Sequence, residues 1–270
     1  MANTMLETRL ITINSSQRSI GGGETTTSFT VDLLGCTPEI RNNVVGVSVE
    51  TVGFVNLIEN VDERYNYLYV ERDGITYDVV IEPGQYDYVT LAATITQALN
   101  IQLGYPVDTF QAIPKGEEGG QPALIELKFD EVQSITILGL RDSLSHILGI
   151  PTGFNIELGD GLPNPIFRPN LYGPMAVLLQ TRALAGSRNS VNGTGQPSPT
   201  LMTIPLRGTY GSVENMHMGG EDRPLVVYSK GADRNLNNID VSLTHLDGSP
   251  VNLGETGEMY VTFRVWIRHM

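Results

Sequence analysis

Apolar and polar residues alternate with a period of two over much of this chain, most clearly towards its end. In MYVTFRVWIR, Met259, Val261, Phe263, Val265 and Ile267 fall on one side. Tyr260, Thr262, Arg264, Trp266 and Arg268 fall on the other, as in a strand with one face on a core. Upstream, Ile239, Val241 and Leu243 alternate with Asp240, Ser242 and Thr244. Asp247-Gly248 then begins a turn, so these two segments are expected to pair as an antiparallel hairpin. RLITIN (residues 9–14) and SFTVDLL (28–34) alternate likewise, around a linker holding Gly21-Gly22-Gly23. The Val-rich run 43–57 is too β-branched for a comfortable helix. Further strands are expected at 175–184, 201–206 and 224–229.

The middle of the chain has a different rhythm. Segments 67–71 and 75–81 flank Arg72-Asp73-Gly74, a strong hairpin signal. In PGQYDYVTLAATITQALNIQLG, Leu91, Ile95, Ala98 and Leu99 share one helical face, with Thr90 placed to cap the start and Gly104 to end it. Short strands at 123–129 and 133–138 precede a short helix at 142–148. This order, β-β-α-β-β-α, predicts a small α+β subdomain inserted into a mainly β sandwich. On this reading residues 1–64 and 170–270 form the sandwich, 65–150 the insertion, and 151–169 a long Pro- and Gly-rich connecting loop. A second long loop is expected over 185–199; loops of such length usually carry function or disorder.

Composition agrees with short strands joined by many turns: charged residues are 17%, with 29 Gly and 15 Pro. A chain of 270 residues buries enough surface to need no metal or disulfide staple. Its net charge of −13 repels phosphate and its basic residues are scattered, so direct nucleic-acid binding is not expected. Cys36 is the single cysteine, which excludes an internal disulfide and suits a buried small hydrophobe in a reducing compartment. No apolar run suits a signal peptide or a membrane span. Asn14-Ser15-Ser16 and Asn192-Gly193-Thr194 match the glycosylation pattern, read as chance without a secretory route.

Catalytic motifs are missing. The four histidines, His146, His217, His245 and His269, form neither His-Glu-x-x-His nor a His-x-His metal pair. His245 continues the inward phase of its strand, and His217 is expected in an exposed loop. Gly21-Gly22-Gly23 lacks the Gly-Lys-Ser/Thr of a phosphate loop, and Gly-x-Ser-x-Gly is absent. Asp62-Glu63, Glu117-Glu118, Asp130-Glu131 and Glu221-Asp222 are adjacent acids, whereas a glycosidase needs two carboxylates facing each other across a cleft. A calcium site within 157–160 stays open, without EF-hand spacing. No catalytic, cofactor-binding or metal-ligating residue is assigned, and no cofactor is expected.

Four stretches in order resemble the penton, or vertex minor capsid, proteins of virophages, polinton-like viruses and some giant viruses. They are ITINSSQRSIGGG with TSFTVDL; YDVVIEPGQYDYVTLAATITQALN; LIELKFDEVQSITIL with DSLSHILGIP, resembling a hairpin that ends in a Leu-Gly step; and NIDVSLTHLDGSPVNLGETGEMYVTFRVWI. The resemblance spans nearly the whole chain. It implies a single jelly roll, a homopentamer at the fivefold vertices of an icosahedral virion, and contact with neighbouring major capsid proteins. It also implies a virion location after assembly in the host cell interior. It transfers no catalytic residue.

A low lysine content suits extensive contact surfaces. The first eight residues precede the first expected strand and carry Met1, Met5 and Leu6, forming either an arm on a neighbour or a frayed terminus. Tyr260 and Trp266, on the polar face of the last strand, either anchor an interface or pack under the insertion. These five are the candidate interface residues. The alternative function is a jelly-roll receptor- or carbohydrate-binding spike or fibre module, which predicts clustered exposed aromatics.

Overall fold

A computed structural model of the chain describes residues 6–17, 25–33, 43–116, 123–181, 199–218, 225–227, 236–254 and 257–268. Met1, Met5, the Gly21–Gly23 linker, Cys36, the 185–198 loop and His269 lie outside the described residues. Two compact units emerge: Met1–Ile58 with Pro174–Met270, and Glu59–Gly173.

The first unit opens with β1 (Leu6–Asn14), β2 (Ser28–Asp32) and β3 (Val44–Val55). β1 starts at Leu6, three residues before the expected strand, so Leu6 belongs to a sheet and not to a preceding arm. β3 is the longest strand; Val44, Val47, Val49 and Val52 are buried along it.

Glu59–Gly173 begins with β4 (Tyr67–Arg72) and β5 (Ile75–Val80). Asp73 and Gly74 both take left-handed φ angles, 54° and 74°, so the two-residue turn twists with its strands. Helix α1 (Tyr88–Leu103) follows. Its N-cap is Asp87, not Thr90: Asp87 Oδ1 accepts from the N–H groups of Val89 (3.0 Å) and Thr90 (2.7 Å), while Thr90 Oγ1 accepts from Asp87 N–H (3.0 Å). A carboxylate satisfies orphan N–H groups better than a hydroxyl, which moves the start towards the N-terminus. Gly104 ends α1 at φ 72°.

α1 packs on β6 (Phe110–Lys115), a strand that the pattern missed because FQAIPK contains a proline and only three residues alternate cleanly. Buried Asn100 locks the two together, Oδ1 accepting from Phe110 N–H and Nδ2 donating to Phe110 O, both at 2.9 Å. Then come β7 (Leu124–Phe129), β8 (Ile135–Ile137), α2 (Leu144–Ile147), β9 (Ile156–Leu158) and β10 (Ile166–Phe167). They form two sheets, β10-β7-β6 and β5-β4-β8-β9.

β7 and β8 therefore do not form the expected hairpin. β7 pairs with β6 and β10, and β8 with β4 and β9, and both β7 and β8 line the core that α1 covers. Residues 151–169 are not a free connecting loop, since β9 pairs with β8 and β10 with β7. That pairing carries the compact unit beyond the expected 65–150. Asn60 closes it: its Nδ2 donates to Tyr86 O (2.7 Å) and Leu171 O (3.0 Å), joining the first residues of the unit to the last.

The chain then completes the first unit with β11 (Ala176–Gln180), β12 (Thr200–Pro205), β13 (Val213–His217), β14 (Leu225–Val227), β15 (Asn238–Thr244) and β16 (Met259–Arg268). One sheet runs β1-β16-β3-β13, with β14 also on β3; the other runs β12-β11-β15-β2. β13 and β14 are two pieces of one strand position along β3. Counting the strands of this unit from one to eight, the sheets read 1-8-3-6 and 5-4-7-2, the antiparallel arrangement of a single jelly roll.

β15 and β16 lie in opposite sheets, which corrects the expected closing hairpin. The fourteen residues between them cross from one sheet to the other, and the inward faces of both strands fill one core with Ile239, Val241, Leu243, Val261, Phe263 and Val265. His217 ends a strand and is not in a loop; His245, just after β15, is buried.

Candidate assembly surface

The outward face of the β1-β16-β3 sheet collects the residues that the alternation separates from the core. From β16 it takes Tyr260, Thr262, Arg264, Trp266 and Arg268, all half-buried. β1 lies outermost, and its register sets Leu6 opposite Arg268, Thr8 opposite Trp266, Leu10 opposite Arg264 and Thr12 opposite Thr262. Leu6 and Leu10 are 60% and 58% exposed, two leucines on either side of the Thr8–Trp266 pair. Leu10 was missed as a candidate; the signal was present, since it holds the opposite phase to Ile11 and Ile13, both buried.

The two aromatics sit opposite glycines of β3, Tyr260 against Gly53 and Trp266 against Gly46. The Tyr260 ring lies on Gly53: a Cβ there would meet ring atoms at 2.3 Å. An aromatic laid over a strand glycine covers backbone that the missing side chain leaves bare. Tyr260 thus has a role within its own sheet. Arg264 holds Glu50 through two bonds, Nε to Oε2 (3.0 Å) and Nη2 to Oε1 (2.9 Å), at the point where the β3–β16 register slips by one residue. Glu7 and Arg9 pair with each other on the core-side phase of β1, a charge placement that discourages further strands from adding to the edge. The exposed apolar side chains of this strand, Leu6 and Leu10, lie on the face opposite that pair.

On the opposite side of the unit, a shallow cleft lies between edge strands β12 and β13, lined by Val52, Phe54, Ile204, Met216, Arg207 and Glu214 among others. Buried Glu214 accepts from the N–H groups of Arg207 (3.1 Å) and Gly208 (2.6 Å), so its carboxylate holds the loop after β12 in place. Among the described residues no three of His, Cys, Asp and Glu converge on one point, and Glu157 and Asp160 are exposed on a strand and a turn.

No protein-family model matches this chain, and no curated protein matches it in sequence. Among solved structures, the flagellar cap protein FliD from Helicobacter pylori aligns over 72% of this chain and 43% of its own, at 10% identity and a TM-score of 0.20 that carries no shared fold. The penton protein of mavirus aligns over 97% of this chain and all of its own at 10% identity and a TM-score of 0.51, so this chain, with its jelly roll, shares the fold of a virophage penton protein.

Proposed function

We propose that this chain is a structural capsid protein whose homopentamer closes the fivefold vertices of an icosahedral virion, in contact with neighbouring major capsid proteins. The supporting observation is the fold shared with the mavirus penton protein over 97% of one chain and 100% of the other. On this reading the protein acts by fitting and not by chemistry. Its location is the virion, after assembly inside the host cell.

A ring of five needs two different patches per subunit, because each copy meets its neighbours head to tail. The outward face carrying Leu6, Leu10 and Trp266 is one such patch, with Met1 and Met5 just ahead of it in the chain; Tyr260 borders it. Light scattering coupled to size exclusion tests the reading. With a 29.5 kDa chain, a closed ring is expected at about 150 kDa. Leu6→Asp with Leu10→Asp is expected to weaken it tenfold or more. A trimer would overturn the reading in favour of the receptor- or carbohydrate-binding spike module, and a persistent monomer would overturn the self-closing ring.

A further inference from the structure

Charge is divided unevenly between the two units. Glu59–Gly173 holds 17 of the 30 acidic residues and six of the 17 basic ones, a net −11. The rest of the chain holds 13 acidic and 11 basic, a net −2. The acidic unit presents an open sheet face whose layout follows from its registers. One row across the strands reads Thr76, Glu71, Thr136, Glu157; the next holds Asp78 beside Tyr69; the third holds Val80 beside Tyr67. The buried partners Leu68, Val70, Val79, Ile135, Ile137, Ile156 and Leu158 occupy the other side of the same strands.

Tyr67 and Tyr69 stack, with ring centroids 6.4 Å apart and planes 24° from parallel. Asp78 is the cross-strand neighbour of Tyr69, about 5 Å away at Cβ, and Glu71 follows two residues along the strand, about 6.7 Å on. Glu71, Asp78 and Glu157 are exposed, and among the described residues none of the three carboxylates has an ion pair or side-chain hydrogen bond.

In two other places of the same unit a tyrosine and a carboxylate share an arginine. Arg64 lies 5.0 Å over the Tyr65 ring while its guanidinium binds Asp62. Arg72 lies 5.6 Å from Tyr77 and 5.2 Å from Tyr105, with Asp73 at 3.8 Å. The Tyr67–Tyr69 face has the aromatic surface and the carboxylates, and among the described residues no arginine lies over either ring.

We propose that this face is a docking site for an arginine-bearing, positively charged segment of a partner protein. A guanidinium stacked on Tyr69 has Asp78 and Glu71 in reach of its N–H fork, a combination of flat stacking and paired hydrogen bonds that an ammonium does not match. The surrounding charge favours such a segment and disfavours nucleic acid or an anionic lipid surface. The inference rests on the face itself and holds whether or not the chain forms a ring.

Calorimetric titration of the full chain with a capped hexa-arginine peptide tests it, with hexalysine as comparison. Hexa-arginine is expected to bind at least threefold more tightly than hexalysine. Neutralising the face (Glu71→Gln, Asp78→Asn, Glu157→Gln) is expected to weaken binding tenfold or more. Neutralising three loop carboxylates of the same unit (Asp108→Asn, Asp142→Asn, Asp160→Asn) is expected to weaken it less than twofold. Tyr69→Ala is expected to cost fivefold and Tyr69→Phe to retain affinity. No binding, equal losses from the two triple variants, or indifference to Tyr69→Ala would overturn the proposal. If the face triple fails to fold, as read by thermal unfolding, the Tyr69→Ala and Tyr69→Phe pair decides.

Discussion

The roll and the inserted unit assemble by different routes. In Glu59–Gly173 much of the pairing is between successive elements: β4 with β5 across Asp73-Gly74, β6 with β7, and α1 against the strand that follows it. In the roll, β1 pairs with β16, β2 with β15 and β3 with β16, so that Leu6 meets Arg268 and Asp32 meets Asn238. Among the described residues only β11 and β12 are paired neighbours there. Loop closure must precede such long-range contacts, which makes the inserted unit the one equipped to form early and the roll the one that waits for both ends of the chain. Their surfaces differ too, one strongly acidic and one nearly neutral. Shape and charge are thereby assigned to separate parts of one chain.

The comparison breaks most directly by excision. Produced by itself, Glu59–Gly173 is expected to fold cooperatively, because its core is self-contained and Asn60 joins its two ends. Dispersed amide resonances and a sigmoidal thermal melt would support this, and a random-coil spectrum would abolish the distinction. A finer test places one cavity in each core. Phe263→Ala is expected to destabilise the roll by about 3–5 kcal/mol and Leu99→Ala the inserted unit by about 2–5 kcal/mol, both side chains being fully buried. In scanning calorimetry each variant should move its own transition; a single transition shifted by both would show that the units melt as one.

The smallest expected effect concerns the α1 cap. Asp87→Ala is expected to cost about 1 kcal/mol. Hydrogen bonds from Thr90 and Val89 hold the Asp87 carboxyl below its ordinary value. The folded value thus lies below the unfolded one, so the contribution is complete above the unfolded value and is lost as pH falls through the folded one. The difference in melting temperature between the variant and the parent chain should be widest near neutrality and close in acid.

Much of this is legible in the sequence. Arg72-Asp73-Gly74 marks its own hairpin, because a two-residue turn needs two left-handed φ angles and Asp-Gly supplies them. The phase of Met259 to Arg268 correctly separates a core face from an outward one. The start of α1 was misread, since Thr90 and Asp87 both suit a cap and only geometry distinguishes the N-cap from the third helical position. The arrangement of Tyr67, Tyr69, Glu71, Asp78 and Glu157 on one face was out of reach, because Glu157 arrives there through β8.

The division follows from the range of the forces involved. Alternation, turn residues and glycine positions act within a few bonds, so they determined which segments are strands, which way each faces, and where the sharpest turn falls. Strand partnership is a matter of which apolar faces share a core, and alternation is identical for every candidate partner. That is why β15 and β16, adjacent in sequence and both well patterned, end in opposite sheets, and why β7 and β8 do too. Only the closed core, in which the inward faces of β1, β16 and β3 meet the sheet opposite, selects one pairing from many.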